Sequence, residues 1–372
     1  MFRRICPSQL SKMTPARICI IKPSALGDVV QTLPLLPVFK ARFPEAEISW
    51  VISRELTDLV AGHPCVHDTI PFDRKGGWRD WSQLLSTLKS RRFEMVFDLQ
   101  GLLRTAVMTF ATRAPVRIGL QTAREGSSLS TNCVIPDTSK SVPAHARIWR
   151  VAEVLGLGES PKETLITVSK ADEEWAEKFL APLPRPITAV HPGAGWETKR
   201  WPVEQFSQLL DRGTQAWRGA TIILGSRGER SHAEHLKQLM SDGAWRHSTT
   251  IRTPIVNLAG QTTIKQLAVL LARVDLVVSN DSGPMHLAAG LGTPTLGLFT
   301  CTSAARSGPA GSQHELVSTT VPCAASYCKR CPQRGEKHMA CLTELNVDRV
   351  WQGMERLVAK NEIQPNQETH AA

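Results

Sequence analysis

The chain has 372 residues, a length that favours two domains over one. Its 42% hydrophobic and 21% charged residues are typical of a globular protein, and no apolar run reaches the roughly 20 residues of a membrane-spanning helix. Lys and Arg outnumber Asp and Glu by 44 to 34, so an anionic partner is expected. Aromatic residues are only 6% of the chain and no RNA-binding aromatic signature is present, which argues against nucleic acid.

The first 16 residues form a basic extension without the apolar core of a secretion signal, and Met13 is an alternative start. We therefore expect a cytoplasmic protein. From residue 17, short runs typical of strands (17–22, 47–53, 68–73, 94–100, 116–120) alternate with segments of helical spacing, the last ending at Gly156. The prolines after residue 33 should break the first helix. Residues 17–160 are predicted to be one domain.

A polar connector follows, and the alternation then starts again. Apolar runs at 186–193, 220–225, 255–260, 274–278 and 295–299 predict strands, with amphipathic helices between them. This pattern predicts a second α/β domain over residues 161–360, with a parallel sheet in each domain. A helix at 346–360 is expected to pack back on the first domain, and residues 361–372 are expected to be a disordered tail.

Ligands of parallel sheets bind outside the carboxyl ends of the strands, so the loops there matter most. The first such loop, PSALGD, lacks the glycines of a GxGxxG fingerprint, and GxxxxGK[ST] is absent from the chain. Both absences argue against a dehydrogenase or a P-loop enzyme. Asp28 in this loop fits a helix-capping acid, and the residues alone favour that interpretation over a catalytic one.

In the second domain, the loop HPGAGWETKRWP combines glycines with two cations just before a helix. Gly193 and Gly195 would let the backbone approach a ligand, and Lys199 and Arg200 supply positive charge. A helix N-terminus beside a lysine suits a diphosphate, although a solvated turn with two surface cations is the alternative. Glu229, after the next strand, is placed to accept hydrogen bonds from ribose, a weak signal by itself.

The joint SNDSGP, at 279–284, follows a third strand of this domain. Asp281 or Ser282 can cap the helix that begins here, Pro284 suits its first turn, and Gly283 leaves room for a ligand. A histidine one turn into such a helix is usually part of the packing. His286 is nevertheless placed to touch a phosphate or a sugar if the helix N-terminus faces a ligand.

Taken in order, PSALGDVVQTLP, DLQGLLR, HPGAGWETKRWP and SNDSGPMHLAAGLGTPTLGLF resemble the motifs of glycosyltransferase family 9, the ADP-heptose:lipopolysaccharide heptosyltransferases. The resemblance extends from about residue 17 to about residue 359. It implies a GT-B fold, in which two Rossmann-like domains face each other across a cleft. It also implies an inverting, metal-independent transfer without a cofactor, from ADP-heptose or a related nucleotide sugar to an anionic glycolipid acceptor at the inner membrane.

The resemblance also assigns roles to individual residues. It makes Asp28 the general base that deprotonates the acceptor hydroxyl, which reverses the preference for a capping role. Lys199 would pair with the diphosphate beside the helix N-terminus at Ser282 and Gly283. Donor contacts are further expected from Gly193, Glu229, Asp281 and His286. On the first domain, Arg104, Arg117 and Arg124 are expected to bind acidic groups of the acceptor, although each is equally well read as a solvated surface arginine.

Four of the nine cysteines cluster near the end of the second domain, at Cys323, Cys328, Cys331 and Cys341. Their spacing matches no ligand set known to us, and reduced thiols in a variable loop are narrowly preferred over a zinc or iron–sulfur site. Two other functions stay open at this point. One is another GT-B activity, an epimerase or hydrolase of nucleotide sugars, and the other is a binding protein without turnover, against which the presence of both Asp28 and Lys199 argues.

Overall fold

A computed structural model describes residues 4–158, 164–242 and 253–366. The chain divides into two compact units, 1–167 and 168–372, so that the division falls seven residues after the predicted boundary. Each unit contains one six-stranded sheet whose strands are all parallel. Within the described ranges, no helix has both the length and the apolar character that a membrane span requires.

The first unit begins with a short 3-10 helix, Pro7–Lys12, whose Leu10 is fully buried. Its further helices and strands are β1 (Arg17–Ile21), α1 (Leu26–Thr32), α2 (Leu35–Arg42), β2 (Glu47–Ser53), α3 (Thr57–Val60), β3 (Asp68–Phe72), α4 (Trp78–Ser90), β4 (Met95–Asp98), α5 (Leu103–Ala111), β5 (Val116–Leu120), β6 (Cys133–Ile135) and α6 (Ala144–Val154). As predicted, the first helical run breaks at a proline, Pro34, which caps α2.

The second unit repeats this alternation. Its helices and strands are α7 (Lys170–Leu180), β7 (Thr188–His191), α8 (Val203–Trp217), β8 (Thr221–Ile223), α9 (Arg230–Asp242), β9 (Ile255–Asn257), α10 (Ile264–Arg273), β10 (Leu276–Asn280), α11 (Gly283–Gly290), β11 (Thr295–Phe299), α12 (Ala304–Ser307), β12 (Glu315–Ser318), α13 (Ala340–Glu344) and α14 (Val347–Lys360). Of its strands, β12 was missed by the sequence analysis, as was β6 in the first unit.

The two sheets have the same topology. The strand order is β3-β2-β1-β4-β5-β6 in the first and β9-β8-β7-β10-β11-β12 in the second. In both, the chain reverses its direction of travel across the sheet between the first and the fourth strand of the unit. This is the point where doubly wound sheets bind their ligands. The loops after β1 and β4, and those after β7 and β10, are therefore the places to look for sites.

Helix α14 packs within the second unit. Its buried residues Val350, Met354 and Leu357 belong to the same hydrophobic cluster as Phe206 of α8 and Leu296 of β11. The expected contact of this helix with the first domain stays a prediction. Residues 361–366, which we had assigned to the tail, are hydrogen-bonded to the second unit, for example from the Asn366 N–H to the Trp217 carbonyl. Residues 367–372 lie outside the described residues.

Candidate donor and acceptor sites

The loop after β1 holds Asp28 in the first turn of α1. Its Oδ2 accepts a hydrogen bond from the Ala25 N–H at 3.3 Å, so the capping interaction inferred from the residues is present. The same oxygen lies 3.5 Å from the Lys22 ammonium, which is 7% exposed and also donates to the Leu99 carbonyl. The Asp28 side chain itself is 45% exposed. Capping therefore leaves much of this carboxylate open to a ligand.

The loop after β4 is organised by a buried carboxylate, Asp98. It accepts hydrogen bonds from the Gln100 and Gly101 N–H groups and from the Thr105 hydroxyl. Burial raises the pKa of Asp98, and these hydrogen bonds together with Lys22 act against that rise. Since its oxygens are occupied by its own loop, Asp98 shapes the start of α5 rather than facing a ligand.

The three arginines expected to bind the acceptor differ in their surroundings. Arg124 is exposed and Arg104 is half-buried at the start of α5. Arg117 is only 4% exposed and donates to the carbonyls of Ser130 and Ala114, both at 2.7 Å. It also lies near the amino end of β5, away from the ligand-binding edge. Because its guanidinium holds the surrounding loops together, Arg117 does not fit the predicted acceptor role.

In the second unit, Lys199 and Asp281 form an ion pair between the loops after β7 and β10. Lys199 Nζ donates to Asp281 Oδ2 at 2.7 Å, and the two side chains are 16% and 6% exposed. Asp281 Oδ2 also accepts from the Thr302 hydroxyl, and His286 Nε2 lies 3.8 Å from Oδ1. Burial would raise the pKa of Asp281, but the neighbouring His286 ring and the Lys199 ammonium lower it to about 2. The carboxylate therefore stays ionised at neutral pH.

A second polar cluster links the ends of β7 and β10 to Glu229. His191 Nδ1 and the Ser282 hydroxyl are 3.0 Å apart, and His191 Nε2 lies 3.7 Å from Glu229 Oε2. The neighbouring His191 ring lowers the pKa of Glu229 to about 2. Glu229 also accepts from the Ser226 N–H and hydroxyl, so it is held in place by protein groups.

Gly193 leaves room for this carboxylate. A Cβ atom at Gly193 would collide with the Glu229 side chain. We had expected the missing side chain to admit a ligand, and the structure instead shows it admitting Glu229. Gly193 thus acts on the site through its neighbour.

The loop after β7 is fastened to β10 by Asn280, which is fully buried. Its amide group donates to the Pro192 carbonyl at 2.7 Å and accepts from the Trp201 N–H at 3.1 Å. The two ends of the loop that contains Lys199 are thus held by one side chain. The sequence analysis missed Asn280. Its position between Ser279 and Asp281, at the carboxyl end of a buried strand, could have identified it as a site residue.

The N-terminus of α11 has no side-chain cap. Ser282 occupies the N-cap position, but its hydroxyl is within hydrogen-bond distance of His191 and of the Ser279 hydroxyl instead. The first N–H groups of an uncapped helix attract an anion, and the helix dipole adds to this attraction. With the Lys199 ammonium on the neighbouring loop, the arrangement suits a diphosphate.

The predicted cysteine cluster lies beside the same loop. The Thr198 hydroxyl donates to the Cys328 carbonyl at 2.8 Å, and the ammonium groups of Lys199 and Lys329 lie 4.7 and 5.7 Å from the Trp196 ring centre. Within the described ranges, no group of three His, Cys, Asp or Glu side chains is arranged to hold a metal ion. The contacts that the structure shows for this segment support the Lys199 loop.

Other residues at these edges were also missed by the sequence analysis. In the second unit these are His191 and Thr302, and in the first unit Lys22. The segment that follows β3 brings Arg74, Lys75 and Arg79 to the ligand-binding edge of the first sheet. The sequence does contain a signal for these three residues, because they form a cluster of cations directly after a predicted strand.

Comparison with known proteins gives one family and a consistent fold. The profile of glycosyltransferase family 9 (heptosyltransferase) matches residues 81–336. The lipopolysaccharide core heptosyltransferase OpsX of Haemophilus influenzae is 28% identical over 306 residues, which are 82% of this chain and 84% of that protein. A family 9 glycosyltransferase from Veillonella parvula superposes with a TM-score of 0.76 at 21% identity, covering 93% and 97% of the two chains.

The solved structure of the Escherichia coli ADP-heptose lipopolysaccharide heptosyltransferase II gives a TM-score of 0.69 at 21% identity, with 93% of this chain and 99% of that chain covered. These likenesses and the two parallel sheets confirm the predicted GT-B fold.

Proposed function

The chain belongs to glycosyltransferase family 9, and from this premise we propose that it transfers a heptose from ADP-heptose to an acidic acceptor in the inner core of lipopolysaccharide. The observation that carries the proposal is the Lys199–Asp281 pair beside the uncapped N-terminus of α11. This edge offers a cation and free N–H groups to a diphosphate, and buried polar side chains to a sugar.

The donor site lies on the second unit. Lys199 and the N–H groups of Gly283 and Met285 at the start of α11 bind the diphosphate, since Pro284 between them has no N–H. Asp281 and His286 contact the hydroxyl groups of the heptose, and Glu229 lies on the nucleoside side. Glu229 and Gly193 shape this part of the site together, because the carboxylate occupies the space above the glycine.

The acceptor site lies on the first unit. Asp28 accepts the proton of the acceptor hydroxyl while that oxygen attacks the anomeric carbon of the heptose. The bond from this carbon to the phosphate oxygen breaks, and ADP leaves with the electron pair. Attack opposite the leaving group inverts the anomeric configuration. The negative charge that develops on ADP is stabilised by Lys199 and by the helix N-terminus.

Arg104 and Arg124 bind acidic groups of the acceptor, and Arg117 is left out because its guanidinium is bound to backbone carbonyls. Such an acceptor is anchored in a bilayer by its lipid. We therefore place the enzyme in the cytoplasm, at the surface of the inner membrane.

A transfer assay tests this function. Radiolabelled ADP-heptose is incubated with the protein and a core glycolipid that lacks heptose, and we expect ADP release and glycolipid labelling in equal amounts. Donor consumption at the same rate without acceptor would instead indicate a hydrolase or an epimerase. Donor binding without any turnover would indicate a binding protein. ADP-heptose at 100 times its dissociation constant should also raise the free energy of unfolding by about 2.7 kcal/mol.

A further inference from the structure

Large hydrophobic side chains are exposed on one face of the first unit. Of the seven large hydrophobic residues that are exposed in the described part of the chain, three lie on α5 and a fourth lies on the neighbouring 3-10 helix, Ser127–Ser130. We call these four the α5 patch: Leu103, Val107, Phe110 and Leu129.

The spacing of the α5 residues places them on a single side of the helix. Leu103, Val107 and Phe110 are four and three residues apart, so they form one stripe. They are 57%, 42% and 59% exposed. Apolar side chains on this stripe contribute to the surface of the unit, whereas Thr105 and Met108 on the other side of α5 are buried.

Leu129, which is 84% exposed, extends the stripe sideways. The segment that carries it runs along α5. At one end the Arg124 N–H donates to the Gly101 carbonyl, just before the helix begins. At the other end Arg117 bridges the carbonyls of Ser130 and Ala114, just after the helix ends.

The surroundings of the patch are strongly basic. Residues 99–150 contain seven Lys and Arg but only two Asp and Glu, so half of the net charge of +10 comes from this segment. Arg104 and Arg113 lie on and just after α5, and Arg124 lies before the parallel segment. Within the described residues none of these three forms an ion pair with an acid. Glu125 is the nearby acid, and its carboxylate accepts the Leu103 N–H.

An apolar stripe with a basic rim is complementary to a partner that has an apolar layer beneath a negatively charged surface. A bilayer of anionic lipids has both properties. Its acyl region accepts Leu and Phe side chains, and each Lys or Arg near its headgroups contributes about 1 kcal/mol. A protein partner or a second copy of this chain would also cover the apolar stripe, but a copy with the same basic rim would repel it.

We propose that the α5 patch inserts into the headgroup region of an anionic membrane and that Arg113 on its rim binds the lipid phosphates. The inference deepens the proposed function, and it rests on that function only for the statement that the acceptor is membrane-embedded. Docking through α5 would bring the ligand-binding edge of the first unit to the lipid surface, because α5 begins at the carboxyl end of β4.

Vesicle binding of the full-length protein tests the proposal without donor or acceptor. Sedimentation is measured with vesicles of phosphatidylethanolamine and phosphatidylglycerol and with vesicles of phosphatidylcholine alone. We expect binding to the anionic vesicles that weakens with salt, and little binding to the neutral ones. The double substitution Leu103→Ser and Phe110→Ser should lower the partition coefficient roughly 10- to 100-fold.

Leu165→Ser is the matched control, because Leu165 is 50% exposed and lies outside the patch. Arg113→Gln should weaken binding several-fold, whereas Lys178→Gln on α7 should not. Equal binding by the double variant and the wild type would overturn the proposal, as would equal binding to neutral vesicles. A wild-type dimer that the double variant breaks would also overturn it, since a second copy would then cover the patch.

Failure of this proposal is distinguishable from failure of the proposed function. Transfer to a deacylated, water-soluble acceptor should proceed at the same rate in the double variant and the wild type. Unchanged melting curves establish that both variants fold.

Discussion

The ligand-binding edges of the two units have the same layout but use it differently. Each has a lysine after its first strand, Lys22 or Lys199, and an aspartate at the end of its fourth, Asp98 or Asp281. In the second unit these two side chains are bonded directly, at 2.7 Å. In the first unit Lys22 donates to a backbone carbonyl and Asp98 accepts from its own loop.

This difference leaves a different group available in each unit. The first edge satisfies its buried charges internally and leaves one further carboxylate, Asp28, half open to solvent. The second edge keeps a cation and uncapped N–H groups close together. One topology thus provides a proton acceptor in one unit and an anion site in the other, because Lys22 directly after β1 and Lys199 in the longer loop after β7 have different partners.

The largest expected effect is that of Asp28→Asn. If Asp28 is the base, turnover should fall roughly 10²- to 10⁴-fold while donor affinity changes little. Asparagine can still accept the Ala25 N–H, so the only expected loss of stability is that of the charge beside Lys22, and the fold should be kept. Transfer rates at saturating donor and a melting curve are the measurements. A variant that melts normally and turns over like the wild type would remove Asp28 from the mechanism and leave it as a helix cap.

Lys199→Ala should weaken donor binding about tenfold or more, because the diphosphate loses its cation. It should also lower the melting temperature, since Asp281 is then left buried without its closest positive charge. Lys329→Ala is the control, because this lysine lies over the same Trp196 ring without pairing with Asp281. Calorimetry with ADP measures the affinity, and equal affinities for both variants would exclude Lys199 from the anion site.

Asn280→Ala should cost about 1–3 kcal/mol of folding free energy, because it leaves the Pro192 carbonyl and the Trp201 N–H without their partner. Donor affinity should fall as well, since the Lys199 loop is no longer fastened to β10. Asn257→Ala is the matched control, as Asn257 is a buried asparagine at the end of β9 that bonds the Ala259 N–H. If both variants lose stability but keep donor affinity, Asn280 does not position the loop.

Acid should weaken the second edge through Asp281. A carboxyl whose pKa is lower in the folded state stabilises the fold above its unfolded pKa of about 4 and loses that effect as the pH falls to about 2. The contribution is roughly 2 kcal/mol. Denaturant unfolding of the wild type and of Asp281→Asn, measured from pH 5 to pH 2.5, should give curves that converge as the pH falls. Parallel curves would show that Asp281 is not the group responsible.

The smallest effect is expected from salt on the acceptor side. Charges that meet across solvent are screened over about 8 Å at physiological ionic strength, so the acceptor KM should rise several-fold from low to high salt. Arg104→Ala should raise KM and flatten this dependence. Arg117→Ala should instead lower the melting temperature. A KM that is independent of salt would contradict the proposed acceptor contacts.

Local sequence patterns predicted much of this molecule. Apolar runs in helical and β spacing gave both α/β units, and the break of the first helix at Pro34 followed from the chemistry of proline. The strands β6 and β12 were missed because both are edge strands whose few apolar residues are bounded by polar ones. Strand β8 is as short, but it lies in the longer apolar run 220–225 and was therefore predicted.

The side-chain partners of the site residues could not be predicted from the sequence. Nothing local distinguishes Arg117, held by the carbonyls of Ser130 and Ala114, from an arginine that faces a ligand. The pairing of Lys199 with Asp281 joins residues 82 positions apart. Such contacts depend on which strands are neighbours, and that order becomes known only when the sheet is assembled.

The space that Gly193 leaves for Glu229 has an evolutionary consequence. A side chain at position 193 can be accommodated only if the carboxylate at position 229 moves or is shortened. The two positions should therefore covary among relatives, with a side chain at position 193 found where residue 229 is shorter or turned away. Loss of Glu229 needs no change at Gly193, so it would come first in a lineage that gains a side chain at that position.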